Sequence, residues 1–116
     1  STGHMPSEVI FASGASKSPL WSQILADVLG IPVKVPAVKE ATALGAALIA
    51  GYGVGIYDNI SETAKKLVKI DHTYLPDMEN HKVYTEMYAH WRKLYAAQLK
   101  LTNEGLTKPM WSAPGV

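Results

Sequence analysis

The stretch Ser13-Gly14-Ala15-Ser16-Lys17-Ser18 gathers small residues, hydroxyls and one cation immediately ahead of Pro19. Small residues let a backbone approach a flat ring or a phosphate. A helix that follows such a loop adds unpaired N–H groups carrying partial positive charge. The chemistry this suits is the holding of a nucleotide. The plain alternative is an ordinary strand-to-helix turn in which Ser18 caps the helix, and Ser18 can do both. Lys17 can offer a point charge to a phosphate or simply stand in solvent as a loop lysine.

The other reactive residue types point nowhere in particular. His72, His81 and His90 share no i,i+4 spacing and no cysteine supports them, so no metal site is expected. The absence of cysteine excludes disulfides and thiolate chemistry and fits a reducing, cytoplasmic setting. Eleven basic and ten acidic residues leave a net charge of +1. That balance gives no case for a nucleic acid or an anionic membrane as partner. Tyr84, Met87, Tyr88, Trp91, Leu94, Tyr95, Gln98 and Leu101 recur at helical spacing. Bases can stack on such a stripe, but too few cations interleave it, and a helix-packing face is the better reading.

The elements that must position the loop are legible around it. Glu8 to Ala12 is a short apolar run suited to a strand buried on both faces. Pro19 opens a helix at its first position, and Gly30 closes it after a stripe through Leu20, Trp21, Ile24, Leu25, Val28 and Leu29. Trp21 is expected in the core. Pro32 to Val35 reads as a second strand and Glu40 to Gly51 as an Ala-rich helix. Gly45 lies inside that helix at a cost of about 1 kcal/mol against alanine, which predicts close packing against a neighbour. Glu40, just before the helix, is expected to cap or brace it. Asn59 with Glu62 three residues on predicts a short helix through Val68. Lys69 to Asp77 reads as an extended crossing, Met78 to Leu101 as one long helix, and Thr102 to Val116 as an irregular tail. No run of about 18 apolar residues, the length needed to span a bilayer, is present. Ser1 to Met5, with its Gly-His-Met, reads as residues left by cloning and is set aside.

The order β–α–β–α followed by helices predicts an α/β fold with a parallel strand pair and a right-handed crossover. Two short parallel strands want cover and neighbours on both sides. The chain is therefore expected to be part of a larger domain, with an uncovered strand edge that pairs with a second copy.

Ser13 to Ser18, Trp21 to Asp27 and Glu40 to Ala47 resemble, in order and over about 40 residues, the second domain of the FGGY carbohydrate kinases. That family commonly shows a Gly-Gly-Gly/Ala-Ser-Lys-Ser loop, a Trp-x-Gln-Ile-x-Ala-Asp helix and Glu-Ala-Thr-Ala-Leu-Gly-Ala-Ala. The later pattern, ending in Gly105-Leu106-Thr107, Trp111 and Ala113-Pro114-Gly115, is similar to the branch acting on linear 4,5-dihydroxy-2,3-pentanedione. The resemblance implies that residues 6–116 are the C-terminal portion of the second, ATP-side domain of an actin-like (ribonuclease-H-like) kinase. It implies ATP with Mg2+ as phosphoryl donor and a linear polyhydroxy ketone or sugar as acceptor. Gly14, Ala15 and Ser18 would contact adenine, while the catalytic base and the Mg2+ site would lie outside this stretch, which alone would be inactive. Where the family has its first glycine this chain has Ser13. Two other readings stand beside it: another sugar kinase of the family, such as one for xylulose, and a non-catalytic helical interaction module using the aromatic helix.

Overall fold

Ser18 and Pro19 start the first helix as their chemistry requires. Proline has no N–H to lose at the first position, and the Ser18 side-chain oxygen accepts from the Trp21 N–H at 3.3 Å. Helix α1, Pro19–Leu29, ends at Gly30, which takes the left-handed conformation at φ 68°. The computed structural model describes residues 6–107. It divides into two compact units, one up to His81 and one from Lys82 on.

In the first unit, β1 (Val9–Ile10) pairs in parallel with β2 (Val33–Pro36), joined by the α1 crossover. Strand alternation sends Val33 and Val35 to the face that α1 covers, where they are 0% and 3% exposed. Ala26 and Ser22 on the underside of α1 are likewise buried. Burying a valine contributes roughly 1.5–3 kcal/mol, so this α1-to-sheet layer is the main source of packing energy. Helices α2 (Ala41–Gly53) and α3 (Ile60–Leu67) follow. The Asn59 side chain caps α3 by accepting from the Glu62 N–H at 3.1 Å.

The parallel pair and the β–α–β–α order are as expected. The stretch taken for an extended crossing is instead a third strand, β3 (Ile70–Tyr74), antiparallel to β2 in the order β1-β2-β3. Its sequence, Ile-Asp-His-Thr-Tyr, has little apolar alternation because four of its five residues are exposed and only Tyr74 is half-buried. Helix α4 (Met78–Asn103) begins in the first unit and makes up most of the second. It runs two residues further than predicted. In the second unit the rings of Tyr88 and Trp91 stack at 5.9 Å and those of Trp91 and Tyr95 at 5.3 Å. Trp111 and the Ala113–Gly115 tail lie outside the described residues, as do Ser1 to Met5. No helix among the described residues is long and apolar enough to cross a membrane.

Candidate functional site

Past β1 the Phe11 N–H donates to the Lys34 carbonyl at 2.8 Å, and the chain then turns off the sheet. The Ser13 N–H is caught by the Lys39 carbonyl at 2.8 Å, which ties the loop to the approach of α2. One turn of 3-10 helix, Gly14–Lys17, is closed by bonds from the Ser16 N–H to the Ser13 carbonyl and from the Ser18 N–H to the Ala15 carbonyl, both 3.1 Å. Ser16 is buried, and its hydroxyl donates to the same Ser13 carbonyl at 2.7 Å. The N–H and hydroxyl of Ser22 both donate to the Ser18 carbonyl at 3.1 Å. Ser18 is thus held from both sides, and its own O–H hydrogen is not used in accepting from Trp21.

This places Gly14, Ala15 and Ser18 in one short turn, with Gly14 exposed and the other two half-buried. Gly14 has no positive φ, and a Cβ built on it would meet no described residue within 4 Å. Neither backbone conformation nor internal packing demands a glycine there. What its missing side chain provides is open access to the backbone of the turn.

Lys17 is a solvent-exposed loop cation paired with an acidic neighbour. Its ammonium lies 2.8 Å from the Glu40 carboxylate. The hydrogen bond from Lys17, reinforced by its charge, holds the Glu40 pKa below the usual carboxylate range. Glu40 makes no side-chain cap bond to α2, so of the two expected roles it takes that of brace. Lys39 next to it donates to the Pro36 carbonyl and to Asp71 at 2.8 and 2.9 Å. That second bond, and then the Lys39 charge, lower the Asp71 pKa. Glu40 is engaged by Lys17, and among the described residues no group of three or more metal-ligating side chains gathers to hold a divalent cation.

Two expectations are corrected. Trp21 is 60% exposed rather than in the core, lining an apolar hollow with Phe11 and Ile24. No described residue lies within 4 Å of where a Gly45 side chain would stand; Gly45 lines another hollow, of about 290 Å³, with Ile10, Ala12 and Leu44. Gly14, Ala15 and Ser18 are not part of either lining.

Ser13 carries the site's backbone strain, at φ 78° and ψ −171°. That region is essentially glycine-only and costs a larger residue about 1–3 kcal/mol. The signal was present in the sequence, since this is the position where the family glycine is replaced. Ser13→Gly should therefore stabilise the chain by about 1 kcal/mol after the added flexibility of the unfolded state is subtracted. Thermal unfolding would register this as a Tm several degrees higher; an unchanged or lower Tm would show that the loop is not strained.

Residues 1–54 match the C-terminal domain of the FGGY family of carbohydrate kinases. The chain is 50% identical over 111 residues to the autoinducer-2 kinase of Escherichia coli strain K12, covering 96% of this chain and 21% of that protein. It is 51% identical over 111 residues to the autoinducer-2 kinase of Photorhabdus laumondii, with the same coverage. The chain thus spans about a fifth of the length of the curated relatives it matches. Among solved structures, a ligand-bound xylulose kinase from Lactobacillus acidophilus superposes with a TM-score of 0.72 at 19% identity, over 83% of this chain and 19% of that one. A xylulose kinase from Rhodospirillum rubrum gives 0.65 at 31% identity, over 85% and 20%. The fold is accordingly a piece of the actin-like ATPase fold of these sugar kinases.

Proposed function

We propose that the chain, whose residues 1–54 match the C-terminal domain of the FGGY family of carbohydrate kinases, forms the adenosine side of an ATP-dependent kinase. The acceptor we assign is the primary hydroxyl of linear 4,5-dihydroxy-2,3-pentanedione, the autoinducer-2 precursor, phosphorylated in the cytoplasm during quorum-sensing signal processing. Identity near 50% to autoinducer-2 kinases, against 31% to the Rhodospirillum rubrum xylulose kinase, favours this acceptor over a pentulose.

The observation that carries the nucleotide reading is the open backbone at Gly14, where no described residue occupies the place of a side chain. Adenine lies flat against Gly14 and Ala15, and the Ser18 O–H donates to a ring nitrogen while its oxygen keeps its bond to Trp21. Bonds at Ser13, Ser16 and Ser22 hold the turn before the nucleotide arrives, which reduces the ordering cost of binding. ATP comes as its Mg2+ complex, and Mg2+ supplies charge neutralisation at the phosphates; its ligands and the catalytic base belong to the rest of the kinase.

The test uses the full-length protein with ATP and either the pentanedione or xylulose as acceptor. The pentanedione is expected to give a kcat/KM at least about 100-fold higher, because a site built to hydrogen-bond one polar substrate leaves its groups unpaired with another. Preference for xylulose would move the assignment to another branch of the family. Failure with both would overturn the acceptor class.

A further inference from the structure

The turn that follows Ser13 is held at its two ends by two consecutive residues. At its start the Ser13 N–H donates to the Lys39 carbonyl at 2.8 Å, and at its end the Lys17 ammonium meets the Glu40 carboxylate at 2.8 Å. These holds have unequal footing. The Lys17 and Glu40 side chains are both well exposed, and pairs of that kind contribute little. Lys39 is anchored instead. Its side chain is only 22% exposed, and its ammonium donates to the Pro36 carbonyl at the end of β2 and to the Asp71 carboxylate on β3. The Ala37 N–H also donates to the Lys69 carbonyl, just ahead of β3, at 2.8 Å. Backbone and side chain together therefore fix residues 36–39 beside β3. The Lys39 carbonyl that holds Ser13 accepts the Ala41 N–H as well, at 3.0 Å, so the turn, the start of α2 and β3 meet at this residue.

The strain at Ser13 makes the anchor matter. Ser13 sits at φ 78° and ψ −171°, where glycine alone is at ease. Its N–H is fixed by Lys39, and its carbonyl by the N–H and hydroxyl of Ser16. A residue so placed relaxes when one fixed end is released, and that relaxation turns the peptide leading into Gly14. We propose that Lys39, seated by Asp71, is a positioning residue for nucleotide binding: it fixes the Ser13 amide and, through it, the Gly14 backbone on which adenine lies. Lys39 acts through Ser13 and does not touch the nucleotide. The inference rests on the nucleotide reading above.

The test is a calorimetric titration of the full-length protein with ATP and Mg2+, together with amide exchange on the peptide containing Ser13. Lys39→Met removes the ammonium and keeps an unbranched chain. It should raise the Kd for ATP about fivefold, the upper range for a partly exposed ion pair, and speed exchange at Ser13 by a similar factor. Asp71→Asn should shift both values the same way by about threefold, and Lys39→Arg should restore them. Lys65→Gln, which breaks an exposed pair with Glu62 on α3, should change neither. A variant that is merely destabilised binds fewer equivalents of ATP at unchanged Kd, and that result, or an unchanged Ser13 exchange rate, overturns the proposal. If Lys39→Met does not fold, Asp71→Asn decides, since its side chain is 61% exposed. In the unaltered protein adenosine should slow exchange from Gly14 to Ser18. Slowing there with an unchanged Kd in the variants sinks this inference alone, whereas no slowing removes the nucleotide reading and this inference with it.

Discussion

Replacing Asp27 with alanine should cost this chain about 3 kcal/mol of stability and lower its Tm by on the order of 15 °C. Asp27 is 3% exposed near the end of α1, yet it carries a carboxylate. One oxygen accepts from the Gln23 side-chain amide at 2.7 Å and from the Asp77 N–H at 2.8 Å. The other accepts from the Asn80 side-chain amide at 3.1 Å. Its backbone carbonyl accepts from His81 Nδ1 at 2.9 Å, and Gln23 donates again to the Leu75 carbonyl at 2.9 Å. This one residue therefore fastens the segment from Leu75 to His81 to the helix that follows the nucleotide turn. Alanine leaves those donors, including a backbone N–H, without the acceptor they were built around. Each such loss carries about 1–3 kcal/mol where water cannot replace it.

The same carboxylate sets an acid limit. Burial raises its pKa, but the bonds from Asp77, Gln23 and Asn80 outweigh burial and hold it below the ordinary 3.8. A carboxylate depressed in the folded state contributes stability that is present above its unfolded pKa and lost as pH falls through the folded one. Unfolding should steepen as pH drops below about 4. Asp27→Asn should be less stable at neutral pH and flatter over that acid range. An Asp27→Ala variant with unchanged Tm and the same acid profile would show that the network contributes nothing.

The second large effect concerns chemistry: with ATP, Mg2+ and the pentanedione, this chain alone should give no turnover. Phosphoryl transfer rests on positioned phosphate ligands and a group that orients or deprotonates the nucleophile. Around the turn, Glu40 is bound by Lys17, Asp71 by Lys39, and Asp27 is buried in its network. The chain also spans only about a fifth of its relatives. Its rate should lie at least about a million-fold below that of a complete kinase, which is the low end of enzymatic rate enhancement. ADP formation that depends on the pentanedione, in material free of host kinases, would refute this.

What the sequence made legible is what local chemistry decides. Pro19 with Ser18, Gly30, and Asn59 with Glu62 each mark a helix end through residues that touch it, and the structure places those ends accordingly. The parallel pair followed from order alone. The third strand was hidden because Ile70–Tyr74 is largely exposed and so lacks the alternation that reveals a strand. The Asp27 network was hidden because Leu75, Asp77 and Asn80 lie about 50 residues away in sequence; only Gln23 and Asp27, four apart on one helix, hinted at it. Trp21 and Gly45 were misjudged for one shared reason: each faces a hollow that no described residue fills. At the site, the turn and its cap were readable, but the Lys17–Glu40 pair spans 23 residues and needed the fold.

The central claim is that the turn from Gly14 to Ser18 holds the adenosine of ATP. Titrating ATP into the isotopically labelled chain and following backbone amide shifts tests it most directly. With one side of a cleft present, affinity should be millimolar, roughly −4 kcal/mol. Shifts should centre on Gly14 to Ser18, and adenosine alone should reproduce them. Shifts confined to the Tyr88–Trp91–Tyr95 stack of α4, or none in the turn at several-fold higher ATP, would contradict the assignment and favour the interaction-module reading.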